Sequence, residues 1–261
     1  GYLRFGIPDF KLDKSVIDRR IGILSSEGIE FRTGVRIGAG AGTAVAELKK
    51  SYDAVMLSIG ARKPRDLDIR GRELAGIHYV MDYLEQQNRR VRGDSIDEGK
   101  LIKTINKRVL VIGGGDTGSD CVGTANRQGA VSITQVEILP EPPAHRTVNE
   151  PWPLWPKVKK TSSSHEEGCE RIWCVKTTGF FGDNGIVKGV RALRVNWERG
   201  ADGNMKMKDI PGSEFEIHAD LVFLSMGFLH PEHNGPVKEL NLHLDRNGNI
   251  AVDDGYMTSA D

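Results

Sequence analysis

Three consecutive glycines, Gly113, Gly114 and Gly115, sit in the run "KRVLVIGGGDTGSDCVGTANRQGA" (Lys107–Ala130), between a short apolar stretch and a polar, helix-compatible one. Val109 to Ile112 read as a buried strand. Gly113, Gly115 and Gly118 satisfy the spacing G-x-G-x-x-G. Asp116 to Gln128 can form a helix with Val122 and Ala125 inward and Gly129 as its stop, and a second strand starts near Val131. Strand, glycine turn, helix, strand is the context in which this spacing carries a mechanism. One glycine makes the tight turn, a second lets the backbone approach a pyrophosphate, and a third lets helix and strand pack closely. The helix start offers free N–H groups and a positive dipole end to the anion. A dipole alone contributes about 0.3–1 kcal/mol at an exposed site, so oriented N–H donors and the buried adenosine must supply most of the binding. The candidate contacts are Gly113, Gly114, Gly115, Asp116, Thr117 and Gly118. The competing reading is a glycine-rich turn with no ligand.

Glu137, at the end of the second strand, stands where an acid contacts a ribose 2′-OH, which favours NAD. A 2′-phosphate needs a cation instead, and Arg146, Lys157, Lys159 and Lys160 follow in a long loop. All of these also have an ordinary solvated reading. "TSSSHEEG" offers Ser164 and Glu167 at the spacing of a capping box, with Ser162, Ser163 or His165 as alternative neighbours of a bound dinucleotide. His165 has no partner visible in sequence.

The totals narrow the class. Lys+Arg and Asp+Glu are both 36 in 261 residues, so no general attraction to nucleic acid or anionic lipid is expected. The three cysteines, Cys121, Cys169 and Cys174, lack CxxC spacing and are too few for an internal iron–sulfur cluster, and no metal site is expected. They read as core residues. No run reaches membrane-span length and no signal peptide opens the chain, so the expectation is a cytoplasmic protein.

Along the chain, "LDKSVIDRRIGILSSEG" reads as a helix capped by Asp13, with Ile17, Ile21 and Leu24 on one face and Gly28 at its end. "IEFRTGVRI" reads as strand, turn, strand. "TAVAELKKS" reads as a short helix capped by Thr43, and "YDAVMLSIGA" as a buried strand. "IHYVMDYLEQQNRR" is helical, and residues 91–106 look like a domain junction. Residues 140–168 form a long irregular connection with six prolines. From Arg171 the pattern reads as an antiparallel meander turning at "GDNG", and "ADLVFLSMGF" repeats the earlier order of acid, buried strand, glycine. Asn247-Gly248 signals a hairpin.

Five blocks, in order, resemble the small (β) subunit of glutamate synthase: "GYLRFGIPDFKLDKSVIDRRI", "SIGARKPRDLDIRGRELAGIHYVMDYL", "VLVIGGGDTGSDCVGTANRQGAVSITQVEILPEPP", "WPKVKKTSSSHEEG" and "DLVFLSMGFLHPE". The resemblance runs over nearly the whole chain. It implies an α/β flavoprotein in which a Rossmann-like, three-layer nicotinamide domain with an antiparallel β-meander is inserted in an FAD domain. On that template residues 1–65 and 219–261 are two segments of a partial FAD-binding domain, 66–103 a connection with a helix, and 104–218 the NAD(P)-binding domain. The glycine motif carries over to the nicotinamide cofactor's pyrophosphate, and Gly60 in "SIGA" and Gly227 in "SMGF" to crossings near the cofactors.

The resemblance further implies an NAD(P)H-dependent oxidoreductase. Hydride would pass from NAD(P)H to FAD, and electrons would leave through an iron–sulfur segment outside this chain to a large subunit that makes glutamate from glutamine and 2-oxoglutarate. No catalytic side chain is implied, because the cofactors carry the chemistry. Bacterial members of the family imply NADPH and eukaryotic ones often NADH. The choice stays open, with a lean to NADPH against what Glu137 alone suggests. The family's opening FAD glycine motif, its cysteine-rich segment and its closing "GD" segment are missing, and Arg70 stands where "IPG" has proline. The chain therefore reads as an excised piece, inactive alone and doubtful as an FAD binder. The alternatives are the flavin module of a dihydropyrimidine dehydrogenase-like or ferredoxin–NADP transhydrogenase-like oxidoreductase, or a non-enzymatic dinucleotide-binding module.

Overall fold

The computed structural model describes every residue except Ala39, Ala41, Thr43, Asn149, Asp202 and Asp261. Its helices are α1 (Tyr2–Phe5), α2 (Lys14–Ser26), α3 (Val45–Ser51), α4 (Val80–Arg92), α5 (Asp116–Arg127), α6 (Ser163–Glu166) and α7 (Pro236–Glu239). Its strands are β1 (Ile77–Tyr79), β2 (Arg108–Ile112), β3 (Ser132–Val136), β4 (Glu170–Ile172), β5 (Val175–Asp183), β6 (Ile186–Arg199), β7 (Met205–Asp209), β8 (Phe215–His218) and β9 (Leu221–Leu224). The chain divides into two compact units, residues 1–17 with 66–226, and residues 18–65 with 227–261.

In the first unit five strands form a parallel sheet in the order β1-β9-β2-β3-β4. Strands buried on both faces need apolar side chains at every position, and "VLVI" and "LVFL" meet that demand. Val109, Val111, Leu221 and Phe223 face a cluster built with Tyr83 and Leu84 of α4 and Cys121, Val122 and Ala125 of α5. Leu110, Ile112, Val222 and Leu224 face the opposite way, against Val175 and Phe180 of β5 and Val187, Val190 and Ala192 of β6. The layers are thus helices, parallel sheet and an antiparallel meander in which β6 pairs with β5, β7 and β8. Tyr83 stacks on Phe223 with ring centroids 4.5 Å apart, fixing α4 over the centre of the sheet. The acid before β9 also has a role. Asp220 accepts from the Arg108 backbone N–H at 2.9 Å and from its guanidinium at 2.9 and 3.1 Å, which aligns the starts of β9 and β2. Those hydrogen bonds hold the Asp220 carboxyl down at about 2.

This unit takes in residues 66–103 and 219–226, so the sheet crosses the boundaries drawn from sequence. Residues 91–106 are a connection within the unit, from α4 to β2, and not a domain junction. Strand β4 corrects the meander reading. It pairs in parallel with β3, Gln135 opposite Arg171, and the antiparallel part begins only at Val175.

The second unit departs further from expectation. Residues 29–36 are exposed and form no ladder strand. "YDAVMLSIGA" is irregular and largely exposed, with Met56 88% accessible, rather than a buried strand. A strand exists only where a neighbour satisfies its backbone groups. The described residues of this unit offer isolated antiparallel bridges, Pro64 to Phe228 and Leu244 to Ile250, and no ladder. The second bridge spans the Asn247-Gly248 turn, where the Gly248 N–H donates to the Asp245 carbonyl at 3.0 Å. Val45, Val237 and Leu242 are its buried side chains. The expected cap of α3, Thr43, lies outside the described residues. Asp13 does cap α2, accepting from the Ser15 N–H at 2.8 Å, but no residue of α2 is buried, so the face of Ile17, Ile21 and Leu24 is not a core face.

Leu110 is fully buried in the middle strand of the sheet. Leu110→Ala should cost about 2–5 kcal/mol, read as a lower urea midpoint with unchanged slope, whereas Val131→Ala at an exposed site should move it by less than about 0.5 kcal/mol.

Candidate functional site

Each glycine of the motif has its own reason. Gly113 leaves β2 with φ +114°, and a methyl group there would overlap the Ser225 carbonyl at the end of β9. A side chain at Gly118 would lie 2.6 Å from the Gly113 carbonyl, so this glycine lets α5 lie against the turn. A side chain at Gly114 would collide with the Glu137 carboxyl. Gly115 differs. It is the N-cap of α5 with ordinary extended backbone (φ −72°, ψ −179°), and a methyl there meets no atom of the described residues within 4 Å. Three of the glycines serve the packing of the chain, and Gly115 keeps open the space in front of the helix start. Asp116 and Thr117 follow in the first turn of α5, whose N–H groups have no carbonyl of their own helix to donate to.

A relay of hydrogen bonds supports the turn from behind. Lys11 Nζ donates to Ser119 Oγ at 2.8 Å and pairs with Asp120 Oδ1 at 3.2 Å. The Ser119 and Ser162 hydroxyls are 2.5 Å apart. The Ser162 backbone N–H donates to His165 Nδ1 at 3.2 Å, and the Ser162 hydroxyl lies at 3.2 Å from the same nitrogen. With Nδ1 accepting, Nε2 carries the hydrogen and donates to Gln135 Oε1 at 3.0 Å, and Gln135 Nε2 donates to the Gly113 carbonyl at 2.9 Å. The ammonium of Lys11 donates into one end of the relay and Gln135 donates to the first glycine at the other, while either hydroxyl of the Ser119–Ser162 pair can be the donor between them. Burial, then the nearby Arg171 and Lys11 charges, pulls His165 down to about 4, in keeping with the neutral ring the relay needs. The capping box is therefore Ser162–His165, two residues earlier than the Ser164–Glu167 register read from sequence. Glu167 instead pairs with Arg127 at 2.8 Å, and Ser164 packs against Gly123 of α5.

Glu137 lies over Gly114, as the motif requires, but not alone. Its carboxyl is 3.6 Å from the Arg171 guanidinium. Burial raises its pKa, against the lowering effect of Arg171. Arg171 was invisible from sequence because it was assigned to the meander. The parallel pairing of β4 with β3 is what carries it to Glu137.

The loop cations divide. Arg146 donates to the carbonyls of Glu150 and Leu154, both at 2.6 Å, and so braces its own loop. Lys157 pairs with Glu150 at 3.7 Å. Lys159 pairs with Glu141 at 2.5 Å and lies 4.8 Å over the Trp173 ring, and Lys160 lies 4.6 Å over Trp155. Gly60 and Gly227 belong to the other compact unit, each with left-handed backbone. Cys121 is fully buried, and burial pushes Cys169 up to about 11. Among the described residues no helix is long and apolar enough to cross a membrane.

The profile of the pyridine nucleotide-disulphide oxidoreductases matches residues 10–155. The chain belongs to that family. Among curated proteins, this member of the family is 44% identical to the glutamate synthase [NADPH] small chain of Mycobacterium tuberculosis over 99% of its length and 52% of that protein's. It is 41% identical to the glutamate synthase [NADH] of Saccharomyces cerevisiae over its whole length, which is 12% of the yeast chain. The chain thus spans about half the length of the small chains it matches. Its fold is that of M. tuberculosis FprA, solved in complex with NADPH (TM-score 0.71, 18% identity, 98% of this chain and 66% of that one). Thioredoxin reductase of T. acidophilum shares the fold at a TM-score of 0.52 and 18% identity, over 100% of this chain and 75% of that one.

The relay has a signature in pH. The folded protein leaves His165 unprotonated down to about pH 4, while an unfolded chain protonates it near 6.5. Between these values the unfolded state binds more protons, so stability falls as pH drops through the window and is restored above it. The stability of wild type relative to His165→Gln should therefore decline from pH 6.5 to 4, read by urea melts at stepped pH. A difference that does not change with pH would show that His165 titrates normally.

Proposed function

We propose that this chain is the nicotinamide-nucleotide-binding part of the electron-input subunit of glutamate synthase, taking reducing equivalents from NADP(H) or NAD(H). The observation that carries the reading is the open space at Gly115, directly before the free N–H groups of a twelve-residue helix and flanked by Glu137. The backbone of Gly115, Asp116, Thr117 and Gly118 would hold the pyrophosphate, with Gly114 and Glu137 at the adenosine ribose. A bound nicotinamide supplies a hydride. The chain's own contribution is to bind and orient it, and alignment is what such a transfer needs most. No side chain is asked to act as acid or base.

The relatives support the wider assignment. Small chains that match over nearly the full length of this sequence bear the name glutamate synthase, and in yeast the matching stretch is a minor part of one long glutamate synthase polypeptide. A module that occurs both as a separate small chain and within a large one works beside the rest of that assembly. The proposed partners are therefore a glutamate synthase large subunit and an iron–sulfur segment outside this sequence, in the cytoplasm. FAD is proposed for the longer protein, with Gly60 and Gly227 as candidate crossings near it. The glycine cradle described above serves one dinucleotide, and no step is derived through the flavin.

Calorimetric titration of the chain with NADPH and with NADH tests the reading directly; heat of binding from at least one is expected, and none from either would overturn it. Gly115→Val should leave the protein folded, at a cost of about 1 kcal/mol for an apolar N-cap, while abolishing that heat. Gly113→Val should instead fail to fold, because its backbone conformation and the Ser225 carbonyl both exclude a side chain. Unchanged affinity in Gly115→Val would defeat the pyrophosphate assignment.

A further inference from the structure

The peptide between Gly113 and Gly114 has no side chain on either flank. Sterics therefore leave it two orientations, with the carbonyl behind the turn and the N–H in front, or the reverse. In a trans peptide the two groups point opposite ways, so fixing one fixes the other. The choice sets the polarity of the open side before α5. An N–H there attracts an anion, and a carbonyl oxygen repels it.

A side chain of the next strand makes that choice. Gln135 of β3 is 1% exposed. A glutamine so deep is costly unless both ends of its amide are bonded, and here both are. Its Nε2 donates to the Gly113 carbonyl at 2.9 Å, the one donor to that carbonyl among the described residues. Its Oε1 lies 3.0 Å from His165 Nε2. The direction of the amide is forced. The Ser162 backbone N–H can only donate, so His165 Nδ1 accepts from it at 3.2 Å and the ring hydrogen sits on Nε2. That hydrogen demands the oxygen of Gln135, which leaves the amino group for Gly113. A side chain at Gly118 would stand 2.6 Å from the Gly113 carbonyl and 2.7 Å from Gln135 Nε2, so the glycine there gives this bond its room. The Gly114 N–H, on the other side of the peptide, has no hydrogen-bond partner among the described residues.

We propose that Gln135 is a positioning residue for the dinucleotide: it holds the Gly113 carbonyl behind the turn and so presents the Gly114 N–H to the phosphate beside the adenosine ribose. This rests on the nucleotide site assigned above. Gln135 itself touches no ligand, and His165 acts one step further back by fixing which end of the amide faces Gly113. The glycines make the turn possible, and the glutamine gives it the sign an anion needs.

Calorimetric affinity for NADP⁺ and NAD⁺ at pH 8, with thermal melts alongside, tests this on wild type and two variants of similar shape. Gln135→Met removes the donor. A buried carbonyl without a partner is costly, so the peptide turns over towards water and affinity should fall about tenfold or more. Gln135→Glu, ionised at pH 8, still accepts from His165 but sets an oxygen against the Gly113 carbonyl, and should lose at least as much. A packing role alone would lower the melting temperature and leave affinity in place. Affinity within about threefold of wild type in folded Gln135→Met, or tighter binding by Gln135→Glu than by Gln135→Met, would overturn the proposal. A measurement on wild type keeps the test alive if neither variant folds. The Gly114 amide proton of ¹⁵N-labelled protein should move downfield as whichever nucleotide binds is added, and a Gly114 signal unmoved at saturation would overturn the proposal. A wild type that binds neither nucleotide would remove the site itself, a failure visible before any variant is made.

Discussion

The turn at Gly113 governs the rest of the first unit. The chain leaves β2 with positive φ there, so close to the end of β9 that any side chain would strike the Ser225 carbonyl. That single reversal sets where α5 starts, how near it lies to the sheet, and which face of the helix meets Tyr83 and Phe223. The neighbouring strands hold the turn in place from both sides. The Gly113 N–H donates to the Val136 carbonyl at 2.9 Å on the β3 side, and the Ser225 N–H donates to the Ile112 carbonyl at 2.8 Å on the β9 side. A backbone conformation costly for any residue with a side chain is thus fixed by hydrogen bonds that the sheet makes anyway.

Behind the turn, three stretches distant in sequence converge. Lys11 lies 108 residues from Ser119, and Ser162 lies 43 residues beyond that. The relay through His165 and Gln135 ties the end of the long proline-rich connection to the glycine turn. The connection is therefore not a free strap over the surface at its C-terminal end. A neutral histidine, rather than a charged one, suits this place, because a third cation next to Lys11 and Arg171 would be repelled by both.

Local pattern was enough to read the glycine motif, its flanking strands and the inward side of α5, since each rests on residues adjacent in sequence. Where the answer depended on a partner, pattern failed. "YDAVMLSIGA" and "ADLVFLSMGF" carry the same alternation of acid, apolar run and glycine. The second becomes β9 because β1 and β2 receive it on either side, and the first stays irregular where no described neighbour pairs with it. Strand β4 was misassigned for the same reason: three residues carry too little signal to separate parallel from antiparallel pairing. Arg171 at the site and the Ser162–His165 box went unseen with it. The position of Glu137, just past β3 and beside Gly114, could be read from sequence because the distance from the glycine motif to the end of the next strand is nearly constant in this kind of unit.

Helix α5 is walled in along most of its length. A side chain at Gly118 would strike the turn, and one at Gly123 would strike Ser164 and the Phe10 ring, which is itself covered by Arg127 at 3.6 Å. Contacts this close leave the helix no room to slide or roll, so its first N–H groups point to a fixed spot before any anion arrives. The ordering entropy of an anion cradle is then met once, during folding, and is not charged against each binding event. Such a rigid seat discriminates by shape: a group whose oxygens are spaced differently from a diphosphate gains little from the charge alone.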